Sequence, residues 1–503
     1  MFIRKKKNKS GSICVQIIQK VCGKYKVVKT LGSSSDAEMI EQYYQKAQEA
    51  IPRLFNQLTL FEATEPTPKI GDLCNDDIRI VGPELVFGKI FDFIGFSKIP
   101  DQLFKDLVIS RITHPGSKLR LSEYLRENRN REVSADNIYY FLDKLATKYK
   151  KQVEDISFSY TQKLLEGKIG VVFYDMTTIY FESSKPDDFR MSGFSKDGKH
   201  QHPQIYLGLL VGKNGYPIGY DIFEGNIYEG HTLIPMLEKF ERRFRLERPI
   251  VVADAGLLSN KNIEALKAFG YKFIIGARIK NESASIIEQI KQLKLGDKKV
   301  VKIEKQDGTT LYISYSGKRA EKDLSNRRRG LKRLERSLGS GRLTKSNINK
   351  RGYNKYLKMQ GELKIEIDYE KFDADASWDG LKGYITNTKL SGDQVIENYN
   401  NLWKIERAFR ISKTDLKIRP IYHRLRDRIE AHICISFVSY ILYKELERIL
   451  YNEVPDISIN TAINQINKMY EIKLCTDKSK SNIIRLKNNL SQQNIMDALS
   501  IHF

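Results

Sequence analysis

Cysteine is scarce in this sequence. There are five in 503 residues, at positions 14, 22, 74, 434 and 475. The number is odd and no two form a Cys-x-x-Cys pair, which argues against a disulfide framework or a zinc knuckle and favours a reducing compartment. Long apolar runs are missing as well. The longest, ICISFVSYILY at 433–443, is too short to span a bilayer and reads as a buried helix. The opening MFIRKKKNKSGS is basic but lacks the apolar stretch of a secretion signal. A cytoplasmic protein with no membrane partner is the expectation. There is no internal repeat and no low-complexity tract. Acidic residues are outnumbered, 62 against 85 Lys and Arg, for a formal charge of +23. That excess favours a polyanionic partner, nucleic acid first among them.

What is present reads as several domains, since 503 residues exceed what one core usually supports. Two β-type runs within 12–31, joined at Cys22-Gly23, predict a basic hairpin. Ser35-Asp36-Ala37-Glu38 then opens a helix as a capping box, so that 1–61 forms one module. A linker at 62–72 leads to a helical domain over 72–165, with a break at His114-Pro115-Gly116; its interspersed Arg and Lys suit DNA binding or, as the alternative, a solvated charged face. From 166 to 280, strand runs such as GVVFYDMTTIYFE, IYLGLLVG and PIVVADAG alternate with helices. This is the pattern of an α/β core with a mixed sheet. An insertion domain is expected over 281–375, a second half of the core over 376–450, and a helical tail over 451–503.

Three carboxylates carry the chemistry. Asp175 ends VVFYD and Asp254 sits in VVADAG, each placed near the C-terminal edge of a predicted central strand, where α/β sites form. Either alone could simply cap the following turn. Glu406 lies in YNNLWKIERAFRISK, and if 399–413 is one helix, Tyr399, Glu406 and Lys413 form a single stripe flanked by Leu402, Trp403 and Phe409. An i→i+4 ion pair to Arg410 is the plain alternative for Glu406. Three convergent carboxylates suit one or two Mg²⁺ ions, with Mn²⁺ as a substitute, and phosphodiester chemistry.

The blocks YDMTT, VVADAG and Tyr399-x6-Glu406-x6-Lys413, together with GFSKDGKHQHPQIYLGLLV, YDIFEGN, DGLKGYITNT and LWKIERAFRISKTDLKIRPIYH, resemble the DDE transposases of bacterial insertion sequences. Specifically, they resemble the branch with a Tyr-x2-Arg-x3-Glu-x6-Lys signature. The resemblance spans about 168–445. It implies an RNase H-like core interrupted by a largely β insertion domain, with Asp175 on the first strand, Asp254 on the fourth and Glu406 on a late helix. It also implies cleavage of element ends, joining of the 3′-OH to target DNA, duplex DNA as partner and a homodimeric synaptic complex. Tyr399 and Lys413 match signature residues that contact the DNA end. One position departs: Leu402 stands where the signature has Arg, and Arg410 is the nearest replacement. A nuclease without strand transfer and a non-catalytic DNA-binding protein remain as alternatives.

Other residues are weighed beside these. Segment 318–351 holds 13 Lys and Arg against 3 acids. Leu324, Leu331, Leu334 and Leu338 form a helical seam there, leaving Arg327, Arg328, Arg329, Lys332, Arg333 and Arg336 outward for phosphate contact. His200, His202 and His231 match no zinc spacing. With Lys196 and Lys199, His200 and His202 are expected to line a loop beside DNA. Of the two tryptophans, Trp403 is expected in the core and Trp378 is the candidate for stacking on a base.

Overall fold

A computed structural model describes the chain except residues 22–23, 63–76, 183–184, 194, 196–197, 200, 245–246, 258, 350–351, 361–363, 478–479 and 503. The expected linker and the hairpin turn at Cys22-Gly23 lie outside the described residues. The chain divides into two compact units, Met1–Arg79 with Tyr470–Leu486, and Ile80–Met469 with Lys487–Phe503. No described helix is long and apolar enough to cross a membrane.

In the first unit the expected hairpin is β2 (Ile13–Val21) and β3 (Lys24–Ser34), but a further strand, β1 (Phe2–Lys7), precedes it. β1 pairs antiparallel with β2 from Phe2↔Ile18 to Lys7↔Ile13. Its exposed Lys5, Lys6 and Lys7 hide it in the sequence, and charged residues of this kind keep a sheet edge from recruiting another strand. α1 (Ala37–Glu62) follows, with Asp36 Oδ1 accepting from Glu38 N at 3.2 Å. Ile40 and Ala47 of α1 pack on Val15 and Ile17. β4 (Ile78–Ile80) comes next.

The second unit begins with helices α2 (Lys89–Ile94), α3 (Gln102–Thr113), α4 (Lys118–Arg129), α5 (Ala135–Lys144) and α6 (Lys150–Leu164). Asp101, Ser117 and Ser134 cap α3, α4 and α5 through their side-chain oxygens. The predicted break at His114-Pro115-Gly116 separates α3 from α4. The core then runs β5 (Val171–Tyr180), β6 (Gln204–Gly212), β7 (Pro217–Glu224), α7 (Leu233–Phe244), β8 (Ile250–Ala253), α8 (Asn260–Ala268) and β9 (Lys272–Ala277). β5, β6 and β7 form an antiparallel meander, and β8 and β9 add in parallel on the other side of β5. The order β9-β8-β5-β6-β7 is that of an RNase H-like sheet.

Next come α9 (Ala284–Gln292), β10 (Val300–Glu304), β11 (Thr310–Tyr315), α10 (Gly317–Gly339), β12 (Leu357–Gln360), β13 (Lys364–Ile367), α11 (Tyr369–Ala374) and β14 (Leu381–Thr386). The hairpin β10–β11, expected inside a separate insertion, instead continues the main sheet through β14 to β9, giving eight strands in all. What leaves the sheet is α10, the β12–β13 hairpin and α11, around a small core of Leu334, Tyr356, Leu357, Ile367 and Phe372. This part is mixed rather than largely β.

The chain closes with α12 (Gly392–Asn400), α13 (Trp403–Thr414), α14 (Arg426–Glu453), α15 (Ile459–Ile466), β15 (Tyr470–Asp477), β16 (Lys480–Arg485) and α16 (Leu490–His502). The tail expected to be all helical therefore contains a hairpin, which joins β4 in a three-stranded sheet. In α14 every residue from Ile433 to Tyr443 is buried. That is why the run is apolar all round rather than on one stripe. Ion pairs Lys150–Glu430 (2.7 Å) and Arg428–Asp143 (2.7 Å) tie α14 to the preceding helices.

Candidate active site

Strand alternation decides which way the two aspartates face. Val172, Tyr174 and Met176 of β5 pack in one core with α7 and α8, while Phe173 and Ile179 pack in the other with α13 and α14. Asp175 shares the parity of Phe173, so it faces the α13 side. Asp254 follows Val252, which packs in the same core, and faces the same way. β5 and β8 are parallel neighbours with Tyr174 opposite Ala253. The two carboxylates therefore occupy adjoining register positions on adjacent strands, which lie about 4.8 Å apart. Asp175 is in the middle of its strand rather than at its edge, because β5 runs on to Tyr180. Asp254 does end its strand. Its Oδ1 accepts from Gly256 N at 2.5 Å, so it also caps the turn.

One row crosses the sheet at this level: Asp175, Asp254, then Gly276 on β9 and Tyr384 on β14, paired with each other. Tyr399 lies over this row. Its ring meets Tyr384 edge-on at 4.9 Å, and a Cβ at Gly276 would come within 2.4 Å of its hydroxyl. Gly276 is what lets the tyrosine lie against the strand. Burial first, then the negative charges of Asp254 and Glu406 with neighbouring Tyr384, push the Tyr399 hydroxyl pKa well up. Tyr399 is thus the buried group on which both acids act.

Glu406 corrects the expectation of an inward acid. The helix breaks at Asn401–Leu402, so Tyr399 is on α12 and Glu406 on α13, and the continuous stripe does not exist. The buried face of α13 is Ile405, Ala408, Phe409 and Ile411, which leaves Glu406 exposed. Trp403, expected in the core, is 52% exposed for the same reason. Among the described residues Glu406 forms no ion pair, so the alternative pair with Arg410 is not made either. Nor are the three acids gathered: among the described residues no group of three or more His, Cys, Asp or Glu is close enough to hold a metal ion. The donor set nevertheless fits a hard cation in chemistry, all oxygen, with two of its members side by side.

Two cations absent from the sequence expectations stand here. The Lys382 ammonium lies 4.4 Å from the Tyr399 ring centre. Burial and the nearby Arg319 lower its pKa, against the opposing pull of Glu406. Lys382, two residues before Tyr384, lies on the same strand face, a periodicity that only becomes informative once β14 is known to sit beside β9. Leu402, where the signature has Arg, is buried. Arg410 is exposed and Lys413 half-buried.

The basic helix is α10. Arg328, Arg329, Lys332, Arg333 and Arg336 are exposed on it. Arg327 is not: it is 7% exposed, paired with Asp379, and its guanidinium lies 5.3 Å from the Phe372 ring centre. The seam turns it inward together with Leu334, so its outward placement is corrected. Trp378 is half-buried beside Lys280 (5.5 Å) and Lys291 (5.9 Å), in a cleft of about 760 Å³ between α10 and the strand ends. His202 Nδ1 donates to Phe181 O at 3.2 Å, and His231 is exposed. His200 and Lys196 lie outside the described residues.

The chain is similar to several known proteins. The solved synaptic complex of the piggyBac transposase with hairpin DNA matches at 9% identity, covering 84% of this chain and 79% of that one, with a TM-score of 0.39. The Mos1 transposase paired-end complex with the left transposon end matches at 14% identity over 34% of this chain and 56% of that one, TM-score 0.16. The Mos1 strand transfer complex matches at 15% identity with the same coverage and TM-score. No curated protein matches in sequence. The model of the transposase DDE domain matches residues 166–442, from the start of the RNase H-like core into α14. The chain belongs to the transposase DDE domain family.

Proposed function

We propose that this chain cuts duplex DNA at the ends of an insertion sequence and joins the freed 3′-OH to target DNA. The observation that carries the reading is the pair Asp175 and Asp254, side by side on the face toward which α13 carries Glu406, within the matched domain. Asp175, Asp254 and Glu406 would hold Mg²⁺, or Mn²⁺ in its place. Such an ion supplies a Lewis acid and an activated attacking oxygen for in-line displacement at phosphorus. Tyr399, seated on Gly276, fixes the end of α12 against β9, next to the strand that leads to Asp254, and Lys382 and Arg319 offset negative charge around it. Arg410 and Lys413 take backbone phosphates of the element end, Arg410 in place of the arginine that Leu402 lacks. The exposed cations of α10 take phosphates further along, and Trp378 stacks on a displaced base. Joining two ends requires two active sites, hence a homodimer.

The test is metal-dependent cleavage of duplex DNA carrying the sequences that flank the gene, comparing wild type with Glu406→Gln. Cleavage at the repeat boundary that is lost in Glu406→Gln supports the reading, and joined products separate a transposase from a plain nuclease. A second reading, DNA binding without catalysis, is favoured by one observation: Glu406 is exposed on α13 and, among the described residues, does not complete a three-member ligand group with Asp175 and Asp254. DNA binding equal with and without metal, with no cleavage by either protein, would establish that reading instead.

A further inference from the structure

Away from the carboxylates, two buried cations share one cavity. Arg111 on α3 and Lys118 at the start of α4 are 6% and 7% exposed. Both line a cavity of about 410 Å³ with Arg120, Lys417, Arg419 and His432. No Asp or Glu is among the described residues lining it. Arg111 is held in place: Nη1 donates to Lys417 O at 3.4 Å and Nη2 to His432 Nδ1 at 3.3 Å, while His432 Nε2 donates to Ile418 O at 2.9 Å. That chain leaves the imidazole neutral and Arg111 charged. Asp143, the acid that acts on the neighbouring His423, is already held by both nitrogens of an Arg428 fork at 2.7 and 2.8 Å. Lys118 has no hydrogen bond or ion pair among the described residues. A buried ammonium beside a buried guanidinium, with no acid to answer either, is costly, and burial and then Arg111 hold the Lys118 pKa well below its usual range; an entering anion would offset that cost.

The remaining features of the cavity point to the kind of anion. Gly116, Ser117 and Lys118 bring the N-terminus of α4, a 12-residue helix, to the wall. Helix starts of this kind favour phosphate oxygens. Tyr422, 69% exposed, and the exposed Arg120 and Lys417 form the rim, with Arg424 and Arg426 exposed next to it. The cavity is therefore the deep point of a basic surface. It also has a fixed distance from the carboxylates. Ile421, between lining residues Pro420 and Tyr422, bridges to Phe181, and its N–H donates to Tyr180 O at 3.2 Å. Phe181, just past the end of β5, is six residues beyond Asp175, about 20 Å at the rise of a strand, or about six base pairs of duplex.

We propose that this cavity is a phosphate-binding pocket, distinct from the carboxylate site, that takes a backbone phosphate of bound duplex DNA on Lys118, Arg111 and the start of α4. Assigning DNA as the source rests on the proposed function; the phosphate chemistry does not. Lys118→Met keeps the length and removes the charge, so it should fold at least as stably as wild type in chloride buffer. Two probes are compared on both proteins. Inorganic phosphate, at about 10 mM and matched ionic strength, should raise the unfolding temperature of wild type but not of Lys118→Met. Binding of a duplex should lose about 0.9 from the slope of log affinity against log salt, about eightfold in affinity near 0.1 M salt. A methylphosphonate about six base pairs from the cleaved bond should reproduce that loss in wild type alone.

A phosphate effect that depends on Lys118, with an unchanged salt slope, would keep the pocket and overturn DNA as its ligand. No phosphate effect and no change of slope would overturn the pocket altogether. If wild type fails to bind duplex at any salt concentration, the proposed function falls and the phosphate arm alone decides the pocket. Should Lys118→Met not fold, Arg120→Gln at the exposed wall gives the same readings.

Discussion

Replacing Gly276 with alanine puts a methyl group where the Tyr399 hydroxyl now rests. The added Cβ would stand 2.4 Å from Oη and 3.1 Å from Cζ of Tyr399, with Ala255 N at 3.2 Å. The first contact is about 1 Å inside ordinary van der Waals separation, and the ring cannot slide freely because Tyr384 and Lys382 flank it. Overpacking of this degree costs about 1–3 kcal/mol. If Tyr399 positions α12 over Asp254, a shift of about 1 Å should also slow cleavage by about 10²-fold. Tyr399→Phe removes Oη and leaves Cζ, at 3.1 Å, as the nearest atom, so Gly276→Ala should cost far less in that background. Urea unfolding of wild type, the two single variants and the double variant measures the coupling, expected at about 1–2 kcal/mol. Single-turnover cleavage follows the same four proteins. A Gly276→Ala protein as stable as wild type, or an equal loss in the Tyr399→Phe background, would refute the packing argument.

Other expectations follow from particular side chains. Arg327→Ala should destabilise by about 1–3 kcal/mol, since it removes a buried guanidinium and takes the partner from the half-buried Asp379. Arg328→Ala, on the exposed face, should leave urea unfolding within about 0.5 kcal/mol and instead lower the salt slope of DNA binding by about 0.9; the reverse pattern would mean that the helix faces the other way. Glu445 is fully buried, with Arg448 at 2.6 Å and the Tyr216 hydroxyl donating to it at 2.7 Å. Glu445→Ala should cost about 3–5 kcal/mol in urea unfolding, and a loss under about 1 kcal/mol would refute that. Burial, then Lys118, Arg111 and Arg428, push His423 down to about 3 against the pull of Asp143, and His432 is likewise held well below its usual range by burial, Arg111 and Lys118. Both are neutral when folded, so below the unfolded value near 6.5 only the unfolded chain takes up the protons. Stability should be full above about pH 6.5 and fall toward pH 3, by up to about 1.4 kcal/mol per pH unit for each histidine. A pH slope unchanged in both His423→Gln and His432→Gln would refute it.

The sequence by itself determined the elements whose signal is local. Apolar runs ending in Asp175 and Asp254 were legible as strands because β-branched and aromatic residues cluster there, and the run in α14 as a buried helix because it is apolar on every side. The carboxylates, and the family through them, were legible because acids set against apolar strand runs stand out from their neighbours. What periodicity could not decide was orientation. Tyr399, Glu406 and Lys413 share a stripe only if the helix is unbroken, and the turn at Asn401–Leu402 carries no proline or glycine to announce it. Arg327 looks the same as Arg328 until Asp379, 52 residues away, takes it. β1 was hidden by its lysines, since an edge strand needs no apolar face of its own. Lys382, Arg319 and the pair Arg111 and Lys118 came from tertiary structure alone. Each gains its environment from strands or helices far away in the chain, and burial of a charge is a property of what surrounds it.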